Sequence, residues 1–302
     1  MSTPFNFTSP KDVVKRPQWY DEGDIIATPS NYGATVADPT FTEAGKNAYL
    51  RINRNPAGQI VRQSGDEDID DNPLIKKNFD ALLITNIVDS TLLQWAINGL
   101  GTGVGSINSK TFIQSKYLSG TENYDILKGC LPESVTLRVP RDGLIELEIG
   151  MSCKSITNAA TFTIGTGSFG SALSGSPWKA DDGGTNPFSY HGVTTLERGI
   201  TLNVTRTLGE IDSSGDLAAI YKKPTTRDIT MDVEVFKANN TLTDDVESYV
   251  FRNNAIRVLK SATSTLTLTN VQPQADSMEI NPTNRGALVN TYTLLAKAVA
   301  VT

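Results

Sequence analysis

A few groups of residues in this chain are spaced as chemistry would require, and each meets a simpler alternative. Gly165-Thr166-Gly167-Ser168-Phe169-Gly170 spells G-x-G-x-x-G, the turn that lets a backbone approach a dinucleotide pyrophosphate. That use needs a helix opening directly after the turn and an acid about 20 residues on. Residues 171–177 (SALSGSP) open no helix, so the stretch reads as a loop. Asp66, Asp68 and Asp70 alternate as calcium ligands do. The sixth position of that loop is Asp71 instead of glycine and the twelfth is Lys77 instead of glutamate, which describes a solvated acidic loop open at most to an opportunistic divalent ion. His191 is the sole histidine, with no second imidazole for a metal and no nucleophile motif around it. Glu146 and Glu148 stand two apart, a spacing that places both on one strand face. They resemble a glycosidase pair less than they resemble the wet side of a strand. Lys222, Lys223 and Arg227 make a small basic cluster without the interleaved aromatics of a nucleic-acid groove. No catalytic, cofactor-binding or metal-binding residue is nominated, and no enzymatic activity is expected.

Composition agrees with that reading. A length of 302 residues holds one large all-β unit or two smaller ones, and 38% hydrophobic with 20% charged residues is ordinary for a folded chain. A net charge of −6 argues against tight non-specific binding to nucleic acid, which needs a basic face. No run approaches the length of apolar residues that a membrane helix needs, and residues 1–10 have no basic-then-apolar secretory pattern. Cys130 and Cys153 are too few for a disulfide scaffold and read as free thiols of a reducing cytosol. The N-x-S/T matches at Asn6, Asn203 and Asn239 carry no weight without a secretory route.

What must position any site is sheet. Residues 134–139 (SVTLRV) and 227–235 (RDITMDVEV) switch between apolar and polar at every step, the pattern of strands with one dry and one wet face. Pro140-Arg141-Asp142-Gly143 is a turn between strands 135–139 and 144–151, which aligns Val135, Leu137 and Val139 with Ile145, Leu147, Ile149 and Met151. Further strands are expected at 79–85 (FDALLIT), 161–164, 200–208 (ITLNVTRTL), 263–270, 277–280 and 287–301. A first hairpin is expected from Tyr49 to Arg62, turning at Asn55-Pro56-Ala57-Gly58. One short helix is expected over Leu92, Leu93, Trp95, Ala96 and Ile97, capped by Ser90. A second starts at Thr243, Asp244 and Asp245, with Val246, Tyr249 and Val250 on its stripe. Residues 1–45, rich in proline and without sustained period, read as an extended N-terminal arm. The remainder, 46–302, reads as a single β domain with long loops near 99–130 and 165–192, the first opening on Gly99, Gly101, Gly103 and Gly105.

The order of these segments resembles the tail tube proteins of tailed viruses, the phage major tail protein family, whose fold is shared with type VI secretion tube proteins. The resemblance lies mainly in 131–300. It runs from Leu131-Pro132-Glu133-Ser134 into the hairpin, through Gly199 to Asp216 (GITLNVTRTLGEIDSSGD), to the arginine-bearing stretch from Pro224 to Val235 and the helix near Asp244; the strand 79–85 and the helix ending Gly99-Leu100-Gly101 also fit. The arm and the acidic loop are departures from the family pattern. The resemblance implies a mainly β, antiparallel sandwich or barrel with one or two short helices, assembling into a ring with a continuous inner β-barrel. It implies a structural virion protein, the major tail tube subunit, whose homohexameric rings stack into a tube that conducts the genome. Implied partners are further copies of itself, tail terminator, baseplate or tip and tape-measure proteins, and viral DNA passing without sequence-specific binding. The implied location is the virion tail, assembled in the host cytoplasm.

On this reading the polar strand faces line the channel, with Glu146, Glu148, Asp232 and Glu234 as lumen-facing candidates. Acidic walls repel phosphate and avoid the retention that basic walls cause. The alternatives are another tail, baseplate or injection-system tube component, or a carbohydrate-binding β-sandwich using exposed members of Trp19, Trp95 and Trp178.

Overall fold

The alternation legible in the sequence becomes a set of antiparallel strands whose odd and even positions part cleanly between core and solvent. The computed structural model describes residues 17–58, 74–98, 108–118, 121–159, 173–185, 187–211, 221–236, 241–251, 253–280 and 288–302. The chain begins with strands β1 (Gln18–Asp24), β2 (Thr42–Glu43), β3 (Lys46–Gly58) and β4 (Leu74–Asn86), followed by helix α1 (Thr91–Asn98). Strands β5 (Asn108–Leu118), β6 (Thr121–Val139), β7 (Glu146–Cys153) and β8 (Ser155–Ala159) come next, then the short β9 (Phe188–Tyr190) and β10 (Val193–Thr195). The long β11 (Glu197–Ile211) and β12 (Tyr221–Phe236) precede helix α2 (Thr241–Ser248), and β13 (Asn253–Lys260), β14 (Ser264–Ile280) and β15 (Leu288–Val301) finish the chain.

The strands run in the order β10-β9-β13-β14-β15-β12-β11-β6, where the path divides. The C-terminal part of β6 pairs with β7, which leads to β4 and β3, while its N-terminal part pairs with β5 and β8, β5 leading to β1 and β2. One strand therefore belongs to two sheets. Buried residues from strands across this path, from Leu83 on β4 to Leu266 on β14, form one apolar cluster, the arrangement of a β-sandwich. Helix α1 plugs that core with Leu92, Leu93, Trp95, Ala96 and Ile97 all buried. Its last carbonyls, on Ala96 and Ile97, accept hydrogen bonds from Arg206 Nη2 at 2.7 Å each. Burial, with Arg227 opposite, pushes the Arg206 guanidinium down to about 10.

Several expectations are corrected. Residues 17–45 do not form an arm. Trp19, Tyr20 and Glu22 of β1 are buried, and the Glu22 carboxylate accepts from Gly33 N, Ser109 Oγ, Thr111 Oγ1 and Gly129 N at 2.5 to 2.8 Å. A buried carboxylate is tolerable with four donors, and it ties β1 to β5 and β6. Residues 1–16 lie outside the described residues. The expected loop near 99–130 is largely strand, since β5 and β6 occupy 108–118 and 121–139. Buried Ser109, Lys110, Thr111 and Ser115 hid β5 by breaking the apolar pattern. The chain does not turn at Asn55–Gly58; β3 runs straight through and pairs with β4, Pro56 opposite Lys77. Among the described residues β4 is the single neighbour of β3, so a proline without an N–H is tolerated on this edge.

Asp89, rather than the side chain of Ser90, accepts from Thr91 N at 2.8 Å at the start of α1. Helix α2 begins at Thr241, and its buried stripe is Leu242 and Asp245 with Val246 packed alongside; Tyr249 (φ 51°) lies past its end and, with Val250, is exposed. Strand β13 was not expected, because its inward face carries Asn253 and Arg257 while Ile256 points outward. Of the expected loop 165–192, the described part is fastened down: Trp178 is buried, donates from its N to Ile87 O, and accepts from Ile145 N. The expected strand 161–164 lies outside the described residues.

A candidate assembly face

Five neighbouring strands, β7, β6, β11, β12 and β15, share a largely polar face. Register places Glu146 opposite Arg138, Arg138 opposite Thr201, Thr201 opposite Asp232, and Asp232 opposite Thr293. The next row on that side is Glu148, Thr136, Asn203 and Thr230, and it ends on the half-buried Leu295 of β15. Between them, on the opposite side, runs Leu147, Leu137, Leu202, Met231 and Leu294, each at most 1% exposed. One sheet thus separates a dry layer from a wet one residue by residue, and both registers follow from a strand period of two.

All four sequence-nominated carboxylates lie on the wet side. Glu146 and Glu148 meet Arg138 Nη1 at 2.7 and 3.0 Å, with side chains 40% and 27% exposed. These partners, Glu146 foremost, hold the Arg138 guanidinium above its ordinary value. Glu234 pairs with Arg198 at 2.9 Å, and Thr293 Oγ1 donates to Asp232 Oδ1 at 2.7 Å. Four carboxylates meet Arg138 and Arg198, with Arg141 lining the same groove, so a small negative excess remains although each acid is engaged. Exposed pairs of this kind contribute at most about 1 kcal/mol each. Their consequence is a fixed, hydrated charge pattern more than stability. The two arginines were missed in the sequence; the hairpin register across residues 140–143 already sets Arg138 opposite Glu146.

The remaining motifs disperse. His191 sits with Gly192 in the two-residue turn between β9 and β10, with φ of 52° and 75°, exposed, its N donating to Asn254 O. Lys222 is buried, donating to Ser152 Oγ at 2.7 Å and paired with Glu210 at 2.6 Å, while Lys223 is exposed and Arg227 faces Arg206 on the inward side. The basic cluster is therefore not one surface. Trp19, Trp95 and Trp178 are all buried, so none offers a stacking platform for a sugar. The acidic loop at Asp66 to Asp71 and the G-x-G-x-x-G stretch lie outside the described residues. Among the described residues, no helix is long and apolar enough to cross a membrane. Neither a scan against protein-family models nor a search of curated proteins finds a match for this chain.

Proposed function

We propose that this chain is a structural virion protein, the major tail tube subunit of a tailed virus, whose copies close into stacked homohexameric rings around a genome-conducting channel. The observation that carries the reading is the acidic, hydrated face spanning β7, β6, β11, β12 and β15 above a dry row of leucines and methionine. A sheet that keeps one whole face wet while sealing the other is suited to lining an aqueous pore. The long edge strand β3, 13 residues with a single strand neighbour among the described residues, supports the same reading. Such edges invite pairing unless another chain covers them, and closure of identical copies into a ring removes the liability. On this reading Glu146, Glu148, Asp232 and Glu234 face the lumen, the protein acts by assembly instead of catalysis, and DNA slides past acids that do not retain it. Tail terminator, baseplate or tip and tape-measure proteins are the proposed partners at the tube's ends and interior, in a tail assembled in the host cytoplasm.

Negative-stain electron microscopy of the purified protein tests this directly. Rings or tubes with a central hole are expected, and a persistent monomer at high concentration contradicts the reading. The facing is tested by Glu148→Cys labelled with a bulky maleimide. Labelling before assembly should block tube formation and labelling afterwards should fail along the tube, whereas ready labelling of finished tubes places Glu148 outside the lumen.

A further inference from the structure

The two cysteines, far apart in a chain with only these thiols, are brought face to face. Leu131 pairs with Ser152 in the β6–β7 ladder and Lys128 with Ser155 in the β6–β8 ladder, so the register carried between these pairs sets Cys130 across from Cys153. Directly opposed residues of an antiparallel pair have Cα atoms roughly 4.5 to 5.5 Å apart, within the range of about 4.4 to 6.8 Å that a disulfide spans. Their Sγ atoms lie 2.9 Å apart. That is closer than the roughly 3.5–4 Å at which even unbonded carbon atoms settle. Cys130 is 0% and Cys153 2% exposed, at the point where β6 passes from one sheet to the other, next to Leu127 and Phe112.

We infer that Cys130 and Cys153 are an oxidation site, a thiol pair that closes into a cross-strand disulfide when the protein meets a two-electron oxidant of the peroxide or disulfide class. With a peroxide, one cysteine sulfur takes an oxygen as the O–O bond breaks, giving a sulfenic acid and one water. The facing sulfur then attacks the sulfenic sulfur, the S–S bond forms, and the hydroxyl leaves with the second thiol proton as another water. Two thiols are oxidised and one peroxide is reduced to two waters. With glutathione disulfide, two exchange steps form the same bond and release two glutathione thiols. Burial raises the Cys130 thiol well above its ordinary value, which keeps that thiol un-ionised and slow to react. The bridge therefore forms during folding or on sustained exposure, and acts as a clasp across the junction of the two sheets, not as a catalytic couple. This inference does not depend on the tube reading.

The test uses the full-length protein in two arms. In one, folded protein is held in hydrogen peroxide; in the other, unfolded protein is refolded in a mixture of oxidised and reduced glutathione. Samples are then unfolded in guanidinium with iodoacetamide, and peptides are read by mass spectrometry. The expected product is an intrachain Cys130–Cys153 peptide pair, unalkylated and released by reductant. In the glutathione arm its yield should exceed by at least about tenfold that of the same chain kept in guanidinium at the same poise. A bridge in the refolding arm alone still supports the site and shows that the packed thiols are shielded. Two alkylated cysteines in both arms, glutathione adducts, or cross-linked dimers overturn it; dimers persisting in Cys153→Ser identify Cys130 as their source.

Discussion

Arg257 and Glu197 illustrate how this molecule holds charge away from water. The Arg257 side chain is 1% exposed and pairs with Glu197 at 2.5 Å, while its Nη2 donates to Ala180 O at 2.9 Å and its Nη1 to Val258 O. Gly183 packs against the same guanidinium, where any Cβ would collide. Burial raises the Glu197 carboxyl above its ordinary value, and Arg257 pulls it back. Because the folded value is the higher one, protonation of Glu197 favours the folded state. That contribution is complete below the unfolded value near 4.3 and is lost as pH rises through the folded value. Arg257→Met removes the opposing attraction and should cost about 3–5 kcal/mol at neutral pH, with part recovered near pH 4. Urea midpoints at the two pH values measure it, and adding Glu197→Gln should flatten the difference. Equal losses at both pH values would refute the coupling.

At the scale of elements, turns and caps fix local geometry. The β9–β10 turn places His191 and Gly192 at positive φ, the requirement of a type I′ hairpin. Glycine meets it freely, whereas histidine does so at a cost that asparagine largely avoids. His191→Asn should therefore raise stability by up to about 0.5 kcal/mol. A thermal melt of the variant checks this; loss of stability would give the imidazole a role beyond its turn. At the other end of the long strands, Arg206 fastens α1 by its terminal carbonyls, and Asn98 exchanges two hydrogen bonds with Val301 of β15 at 2.8 and 3.0 Å. These contacts explain how an eight-residue helix, short for stability in isolation, holds its place in the core.

At the scale of the whole molecule, the described residues set a dry core beneath an organised face of net acidic charge. If that face lines a channel, its charge governs how DNA behaves inside the tube. Replacing Glu146, Glu148 and Glu234 together with lysine inverts the sign of the face without touching the leucine row beneath it. The variant should still fold, since the exposed ion pairs contribute little, and its assemblies should hold DNA at low salt and release it steeply as salt rises. Co-sedimentation of tubes with DNA reads this out. Retention by the wild-type tube at the same salt, or indifference of the variant, would remove the face from contact with nucleic acid.

The two-faced strands, the hairpin across Pro140–Gly143, the buried helix of Leu92 to Ile97 and the grouping of Glu146, Glu148, Asp232 and Glu234 on wet positions are all legible along the chain. Period and turn chemistry are local, so they can be read along the chain. Contacts between distant segments settle the remainder. Glu22 turns a proline-rich stretch into a strand by collecting donors from three distant segments. Arg257 sits on the inward face of β13 because Glu197 and Ala180 reach it from elsewhere. Cys130 meets Cys153 because an antiparallel register brings 23 residues of separation to one point. Polar groups enter a core only with partners, and partners distant in sequence leave no periodic trace.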